Sequence, residues 1–478
     1  MEKTNKKFYL TTAIDYVNGP PHIGHAIQKV WADVIARFHR QKGFDVWFLT
    51  GTDEHGVNIV RTAQKLGKTP KELADENAVK FRGLREILNL SWDDFIRTSD
   101  KKRHWPGAEL MWQKLMASGD IYKKHYRGLY CAGHEAFITA KDLVNGKCAL
   151  HGKEPEVIDE ENYFFKLSKY SETIEKKIKN GEFQILPDSR KNEILSLIKE
   201  GLEDVSFSRP AKDISWGIPV SNDPSHTMYV WSDALTNYLS AVGYGRSDDF
   251  KKWWPCDLHV LGKDNLRFHA AIWPGMLLSA GLSLPKTIFV HGFITVGGQK
   301  MSKTLGNIIS PYDLVEKYGT DAVRYYFLRE VSSYNDGDFT YEKFEERYNA
   351  DLANGLGNFV SRVLTLSEKS DVKSLPKNFA AAIKKTEKNI EKFIGEFKFN
   401  ESLVAIWQLI ALGDKYVDDK KPWTLPFDSA EFKKTIGPLL FLISEISQLL
   451  LPFLPETSEK IDDVIKNKKS GILFPRLI

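Results

Sequence analysis

The stretch FYLTTAIDYVNGPPHIGHAIQKVWADVIARFHRQKGFDVWFL, residues 8–49, decides how the rest of the chain is read. Residues 8–12 are short and β-prone, and Asn18-Gly19-Pro20-Pro21 breaks the chain. Ile27, Val30, Trp31, Val34, Ile35 and Phe38 then recur at helical spacing until Gly43 ends the run. Residues 44–49 form a second apolar run. A right-handed crossover joining it to the first gives two parallel strands of an α/β sheet. Residues 11–25 and 50–56 are then expected to face one crevice, where such strands run out.

Moving outward, residues 115–210 change to short apolar runs with a cysteine–histidine cluster and many charges, so the sheet is read as split by an insertion. α/β character returns at 228–238, 259–262 and 287–295. Beyond residue 349, helical periodicity holds at 352–366, 379–393, 403–417 and 439–451, which predicts a helical bundle. The lysine-rich stretch 369–392 reads as a solvated helix face and loop. A chain of 478 residues exceeds one hydrophobic core and implies about three domains.

With 42% hydrophobic and 27% charged residues and a net charge of +4, the chain is neither a disordered polymer nor a membrane bundle. That balance permits a nucleic-acid partner without demonstrating one. Three cysteines, Cys131, Cys148 and Cys256, are too few for a disulfide framework and fit a reducing compartment. The first ten residues lack the apolar run of a signal peptide, and the most apolar later stretch, 439–454, is interrupted by Ser444, Glu445 and Pro452. No membrane association and a cytoplasmic location are the expectations.

Two short strings carry the chemistry. Pro21-His22-Ile23-Gly24-His25 sits where a strand gives way to a helix, whose first amide groups and partial positive charge attract phosphate. Gly24 lets a polyanion approach, and the two histidines can donate to oxygens that gain charge during nucleotidyl transfer. About 275 residues later comes Gly297-Gly298-Gln299-Lys300-Met301-Ser302-Lys303-Thr304, a glycine-hinged loop whose two lysines suit closure over a polyphosphate. Each string alone fits an ordinary helix start or a basic turn. Both in one chain, without a P-loop or a dinucleotide fingerprint, point to nucleotide chemistry of another kind.

Together these strings resemble the two ATP motifs of the class I aminoacyl-tRNA synthetases. Phe48-Leu49-Thr50-Gly51-Thr52-Asp53-Glu54-His55-Gly56, Tyr229-Val230-Trp231-Ser232-Asp233-Ala234, and Gly262-Lys263-Asp264 leading to Phe268-His269 and Trp273-Pro274 resemble the methionine-specific branch. The resemblance runs in order from Phe8 to the C-terminus. It implies a Rossmann-like parallel-sheet catalytic domain over 1–114 and 211–295, split by a connective domain at 115–210. A loop and stem-contact region at 296–348 and an α-helical anticodon-binding bundle at 349–478 would follow. The implied reaction joins methionine to ATP, giving methionyl-adenylate and pyrophosphate, and then transfers the aminoacyl group to the 3′ end of tRNA(Met).

The resemblance also assigns residues. Ile14, Tyr16, Trp231, Ala234, Leu235, Tyr238, Phe268 and His269 would form the methionine pocket, an aromatic slot suited to a polarizable thioether, with Asp53 on the ammonium group. His22, His25, Lys300 and Lys303 would act on the triphosphate; Thr11, Gly24, Lys263, Asp264, Met301 and Ser302 complete the ATP site. The methionine carboxylate is already ionised, so its attack on the α-phosphorus requires no general base. Mg²⁺ is expected with the ATP, held through phosphates. Asn265 departs from the aliphatic residue usual in the family, which bears on amino-acid discrimination.

In the insertion, Cys131, His134, Cys148 and His151 form two knuckle-spaced pairs with 13 residues between them. They suit a tetrahedral structural Zn²⁺, with a metal-free knuckle as the alternative, since family members often carry cysteines there and some have lost the metal. Cys256 is read as a buried thiol. Asn358, Arg362 and Trp423 match the family's anticodon-reading positions, where stacking on tryptophan and edge contacts from an amide and a guanidinium recognise single-stranded RNA. No appended domain is recognised after the bundle, so a monomer is expected. Two other readings compete: a class I ligase for another small apolar amino acid, for whose usual editing domain the insertion is too short, and a catalytically silent tRNA-binding protein.

Overall fold

Successive residues of the strand Lys7–Thr12 are buried on both faces, Tyr9 and Leu10 alike, as happens inside a parallel sheet covered on both sides. This is a computed structural model, and it describes residues 6–133, 135–149, 152–301, 305–368, 379–427, 429–467 and 471–477. Across the sheet the order is Gln184–Leu186, Thr287–His291, Leu258–Gly262, Lys7–Thr12, Asp45–Asp53 and Asp15–Tyr16, with Asp94–Arg97 also paired to Asp45–Asp53. Every pairing is parallel, and Leu10 lies abreast of Phe48 as the opening stretch predicts.

The chain forms two units: residues 1–21, 42–83 and 92–291, and residues 22–41, 84–91 and 292–478. In the first, the span read as one insertion differs from expectation, because Gln184–Leu186 hydrogen-bonds to Thr287–His291 as an edge of the parallel sheet. Three residues are too few to show a period, so only the pairing reveals them. The remainder of that span builds an antiparallel sheet in the order Val205–Ser206, Glu156–Phe165, Ile121–Cys131 and Ala136–Ile138. Cys256 is fully buried and its Sγ donates to the Tyr9 carbonyl at 3.2 Å, the inert thiol that was expected.

The helix Ile23–Gln41, expected to belong with the sheet, is grouped in the second unit, where its side chains make two notable contacts. Trp31 stacks on Phe399, ring centroids 6.2 Å apart. Asp33 pairs at 2.8 Å with Arg324, and both side chains are fully buried. The Arg324 guanidinium also donates to the carbonyls of Leu88, Pro452 and Phe453, so its charge is both paired and hydrogen-bonded, as burial demands.

The expected bundle is present. Asn358–Ser367, Ala380–Gly395, Phe399–Lys420, Ala430–Leu450 and Pro455–Asn467 are helices, and part of 369–392 lies outside the described residues. Where three of them meet, a Cβ on Gly413 would stand 2.3 Å from Phe359 Cζ and 2.9 Å from Leu442 Cδ2. Gly413→Ala gains up to about 1 kcal/mol of helix propensity but forces this crossing apart. Overpacking of about 1–3 kcal/mol wins, so the urea midpoint should fall; a rise would show that the helices yield freely. Among the described residues no helix is long and apolar enough to cross a membrane.

Candidate active site

At the carboxyl ends of the parallel strands of the first unit, residues 11–17 meet residues 50–56. The Thr12 and Thr50 hydroxyls are 2.7 Å apart, and Asp15–Tyr16 pairs alongside Thr52–Asp53 with Tyr16 abreast of Asp53. Trp231, Ala234, Leu235 and Tyr238 come from two short helices, Val230–Ala234 and Asn237–Ser240, and the residue just after the first. Phe268 and His269 open a π-helical turn, Phe268–Ile272, a feature common at functional sites. Trp231 and Phe268 stack with centroids 3.7 Å apart at 5°, and Ile14 packs against the same cluster.

His269 is held as a neutral ring of defined tautomer. Its Nδ1–H donates to the Asn265 carbonyl at 3.0 Å, and Nε2 accepts from the Tyr238 hydroxyl at 2.7 Å. Burial lowers its pKa to about 4. Asn265 thus contributes a backbone carbonyl that any residue supplies, and its unusual side chain has no part in this bond.

Asp53 is the charged element of this half. Burial pushes its carboxyl well above the ordinary carboxylate range, and the nearby charges of Asp233 and Glu135 push it further, so the ionised form is disfavoured until a cation arrives beside it. Behind it, Asp233 binds His55 Nδ1 and His104 Nε2, each at 2.6 Å. Burial alone would raise the Asp233 pKa, but the His55 charge and these two hydrogen bonds hold it below its usual value. His55 and Asp233 stand in quoted motifs, but their pairing across 178 residues, and His104 altogether, escape a reading of the sequence.

Lys263 and Asp264 follow directly on the strand Leu258–Gly262, at its carboxyl end, as a ligand-facing turn should. Thr11 is fully buried, and its hydroxyl sits 2.7 Å from His259 Nδ1.

The second unit joins the two nucleotide strings. Ile23 N–H donates to the Ile309 carbonyl at 3.1 Å, and a Cβ on Gly24 would lie 3.6 Å from Met301 Cε. That same Cβ would approach His22 Nδ1 to 3.0 Å, which explains a glycine here. His22 Nδ1 accepts the Gly24 N–H and His25 Nδ1 accepts the His22 N–H, both at 3.1 Å. An accepting nitrogen carries no proton, so each neutral ring keeps its proton on Nε2 and presents it as a donor. Burial and the Lys29 ammonium push the His25 pKa down to about 3. The rings stack with centroids 3.8 Å apart.

Lys300 ends a hairpin in which Ile294–Val296 pairs antiparallel with Gln299–Lys300. Gly297 and Gly298 form the turn at φ 58° and 75°, a conformation open to few residues other than glycine. Asp338 Oδ1 anchors it, accepting from Gly298 N at 2.8 Å and Thr295 Oγ1 at 2.7 Å. Lys300 is exposed, with Nζ 5.3 Å from the Phe293 ring centre. Ser302 and Lys303 lie outside the described residues.

Elsewhere, Cys131 and Cys148 are buried together in a small cluster with Ile138, with Leu129 and Leu143 packed against it. Their expected partners His134 and His151 lie outside the described residues. Asn358 and Arg362 share the helix Asn358–Ser367, and the Arg362 guanidinium lies 5.9 Å from the ring of Trp423, which is 48% exposed. Asp414 and Asp418 hold that guanidinium at 3.3 and 2.7 Å.

Compared with known families, the chain matches the one described as tRNA synthetases class I (M) over residues 8–142 and 136–364. It is 42% identical to a methionine–tRNA ligase of Caldanaerobacter subterraneus subsp. tengcongensis, over 99% of this chain and 79% of that one. It is also 42% identical to that of Brucella melitensis biotype 1, over 97% of this chain and 92% of that one. Its fold is similar to Mycobacterium tuberculosis methionyl-tRNA synthetase in complex with methionyl-adenylate, with a TM-score of 0.90 at 38% identity over 99% of each chain.

Proposed function

The chain belongs to the methionine–tRNA ligases among the class I tRNA synthetases, and from that membership we propose how its own residues divide the reaction. It is an enzyme that uses ATP to activate methionine, and relatives named for that amino acid remove the competing readings of a different ligase or a silent RNA-binding protein. In the proposal Asp53 takes the methionine ammonium, while the slot of Ile14, Tyr16, Trp231, Ala234, Leu235, Tyr238, Phe268 and His269 takes the side chain. The stacked Trp231–Phe268 wall offers a thioether broad aromatic contact.

In the activation step the methionine carboxylate forms a bond to the α-phosphorus of ATP while the bond from that phosphorus to the pyrophosphate oxygen breaks. Negative charge grows on phosphate oxygens as this happens. His22 and His25 meet it as Nε2–H donors, and Lys300 and Lys303 as point charges that follow the leaving pyrophosphate. Lys263 and Asp264 would take up the nucleoside, Gly24, Met301 and Ser302 would line the phosphates, and Thr11 would brace the strand end. Mg²⁺ would arrive on the ATP and neutralise phosphate charge. The observation that carries the proposal is the pair of fixed imidazole donors tied to the lysine loop by the Ile23–Ile309 bond. ATP–pyrophosphate exchange tests it: methionine should support exchange, whereas leucine, isoleucine, valine and cysteine should not, and exchange driven by one of those four instead would overturn the reading of the slot.

For tRNA(Met) we assign Asn358, Arg362 and Trp423 to the anticodon, on the exposed indole with a guanidinium over its ring. For Zn²⁺, two buried cysteines in one cluster supply the thiolate half of a Cys₂His₂ set, which His134 and His151 would complete. Elemental analysis of purified protein should then find about one zinc per chain, lost in Cys148→Ser; no zinc in the unaltered protein would establish the metal-free knuckle. A cytoplasmic monomer completes the proposal, sparse cysteines being suited to a reducing compartment.

A further inference from the structure

The helix Val57–Lys65 begins with an orphan it cannot satisfy itself: Gly56 at its start has no side chain to cap the first turn. The missing acceptor comes from far along the chain. Glu135, in the knuckle of the inserted segment, takes the Asn58 N–H on Oε1 at 2.7 Å, and the Asn58 side chain returns a bond to the Ala132 carbonyl, also at 2.7 Å. A cap needs no more than this. Yet the same Oε1 accepts a second bond, from the Tyr16 hydroxyl at 2.7 Å, and Glu135 is only 5% exposed.

Tyr16 stands abreast of Asp53 in the parallel pairing of Asp15–Tyr16 with Thr52–Asp53. Asp15–Tyr16 is a strand of only two residues at the edge of the sheet, and Tyr16 is not wholly buried, so packing alone does not fix the ring. Its hydroxyl donates to the Glu135 carboxyl and also meets the Ile59 backbone, so Glu135 supplies the side-chain anchor that holds it. We propose that Glu135 is a positioning residue for methionine: by holding the Tyr16 hydroxyl, it sets the ring beside Asp53 and so makes the knuckle a part of the amino-acid site. The inference rests on assigning Tyr16 and Asp53 to methionine. It goes beyond that assignment by giving the inserted segment a role in substrate affinity as well as in structure.

The test is steady-state ATP–pyrophosphate exchange on the full-length enzyme with Glu135→Ala, Glu135→Gln, Tyr16→Phe, the Glu135→Ala/Tyr16→Phe double variant, and Trp231→Ala. Glu135→Ala should raise the KM for methionine roughly tenfold, the order expected for one lost hydrogen bond, with the KM for ATP unchanged. Tyr16→Phe should do the same, and the double variant should be no worse than either single one, because both remove one bond. Glu135→Gln keeps an acceptor oxygen and should stay within about twofold of the parent. A purely structural cap would instead shift the unfolding midpoint and leave the methionine KM where it was, or give effects that multiply in the double variant; either result overturns the inference. If Tyr16→Phe is silent while Trp231→Ala raises the methionine KM, the inference fails and the slot stands. If both are silent, the slot assignment falls with it.

Discussion

Asp53→Ala should lower kcat/KM for methionine by about 2–5 kcal/mol, roughly 30- to several-thousand-fold, measured in ATP–pyrophosphate exchange. Asp53 is buried beside Asp233 and Glu135, and nothing described near it supplies a compensating positive charge as the Arg324 partner does for Asp33. In the proposed assignment the methionine ammonium is the cation that completes the site, so removing the carboxylate strands that charge. Asp53→Asn, which keeps the shape, should be nearly as damaging; if it were close to the parent, the charge would not be the cause.

The same carboxylate predicts a pH dependence with a definite sign. Its pKa is raised by burial and then by Asp233 and Glu135, whereas the ammonium binds the ionised form. Methionine must therefore displace a proton at any pH below that raised value, and kcat/KM for methionine should fall as pH is lowered through it. Calorimetric titration of methionine in buffers of differing ionisation enthalpy should report proton release. Stability runs the opposite way with pH: the folded carboxyl holds its proton more tightly than the unfolded one, so its contribution is fully present below the unfolded pKa and is lost as pH rises through the folded one. Methionine relieves that loss, and its stabilising shift in melting temperature should grow with pH.

His25→Ala should reduce kcat for exchange roughly 100- to 1,000-fold, the range for removing one preorganised donor to developing charge, with little change in the KM for methionine. Because the pKa of this ring is lowered to about 3, its donor is present throughout pH 6–9, and its titration should leave no inflection there. His25→Asn returns an N–H and should recover part of the rate. A loss smaller than about fivefold, or one appearing in the methionine KM, would contradict the role given to the Nε2–H.

Much of this was legible beforehand because the chemistry is carried by contiguous residues. Two imidazoles on one helical turn, a double glycine before two lysines, and a carboxylate four residues past a buried strand core read directly from residue order. Short β-prone and apolar runs gave the parallel pair of strands and 3.6-residue spacing gave the bundle, for the same reason: both signals are local. The anticodon trio shows the boundary of that legibility. Asn358 and Arg362 are one turn apart and legible as a face, whereas the approach of Arg362 to Trp423 is a contact between a helix and a distant turn.

By itself the amino-acid sequence determined the class of fold, through spacing within a few tens of residues, and through its resemblance to the synthetases it pointed to the reaction. Tertiary structure alone decided the remainder. It set the Thr11 hydroxyl against His259, drew Gln184–Leu186 into the parallel sheet, and grouped the histidine helix with residues 292–478. It also set Asp233 between two histidines and brought Glu135 to Tyr16 across 119 residues. These features rest on single contacts between distant segments. A buried polar group must find a partner wherever the fold provides one, and that choice leaves no period or motif in the residues that make it.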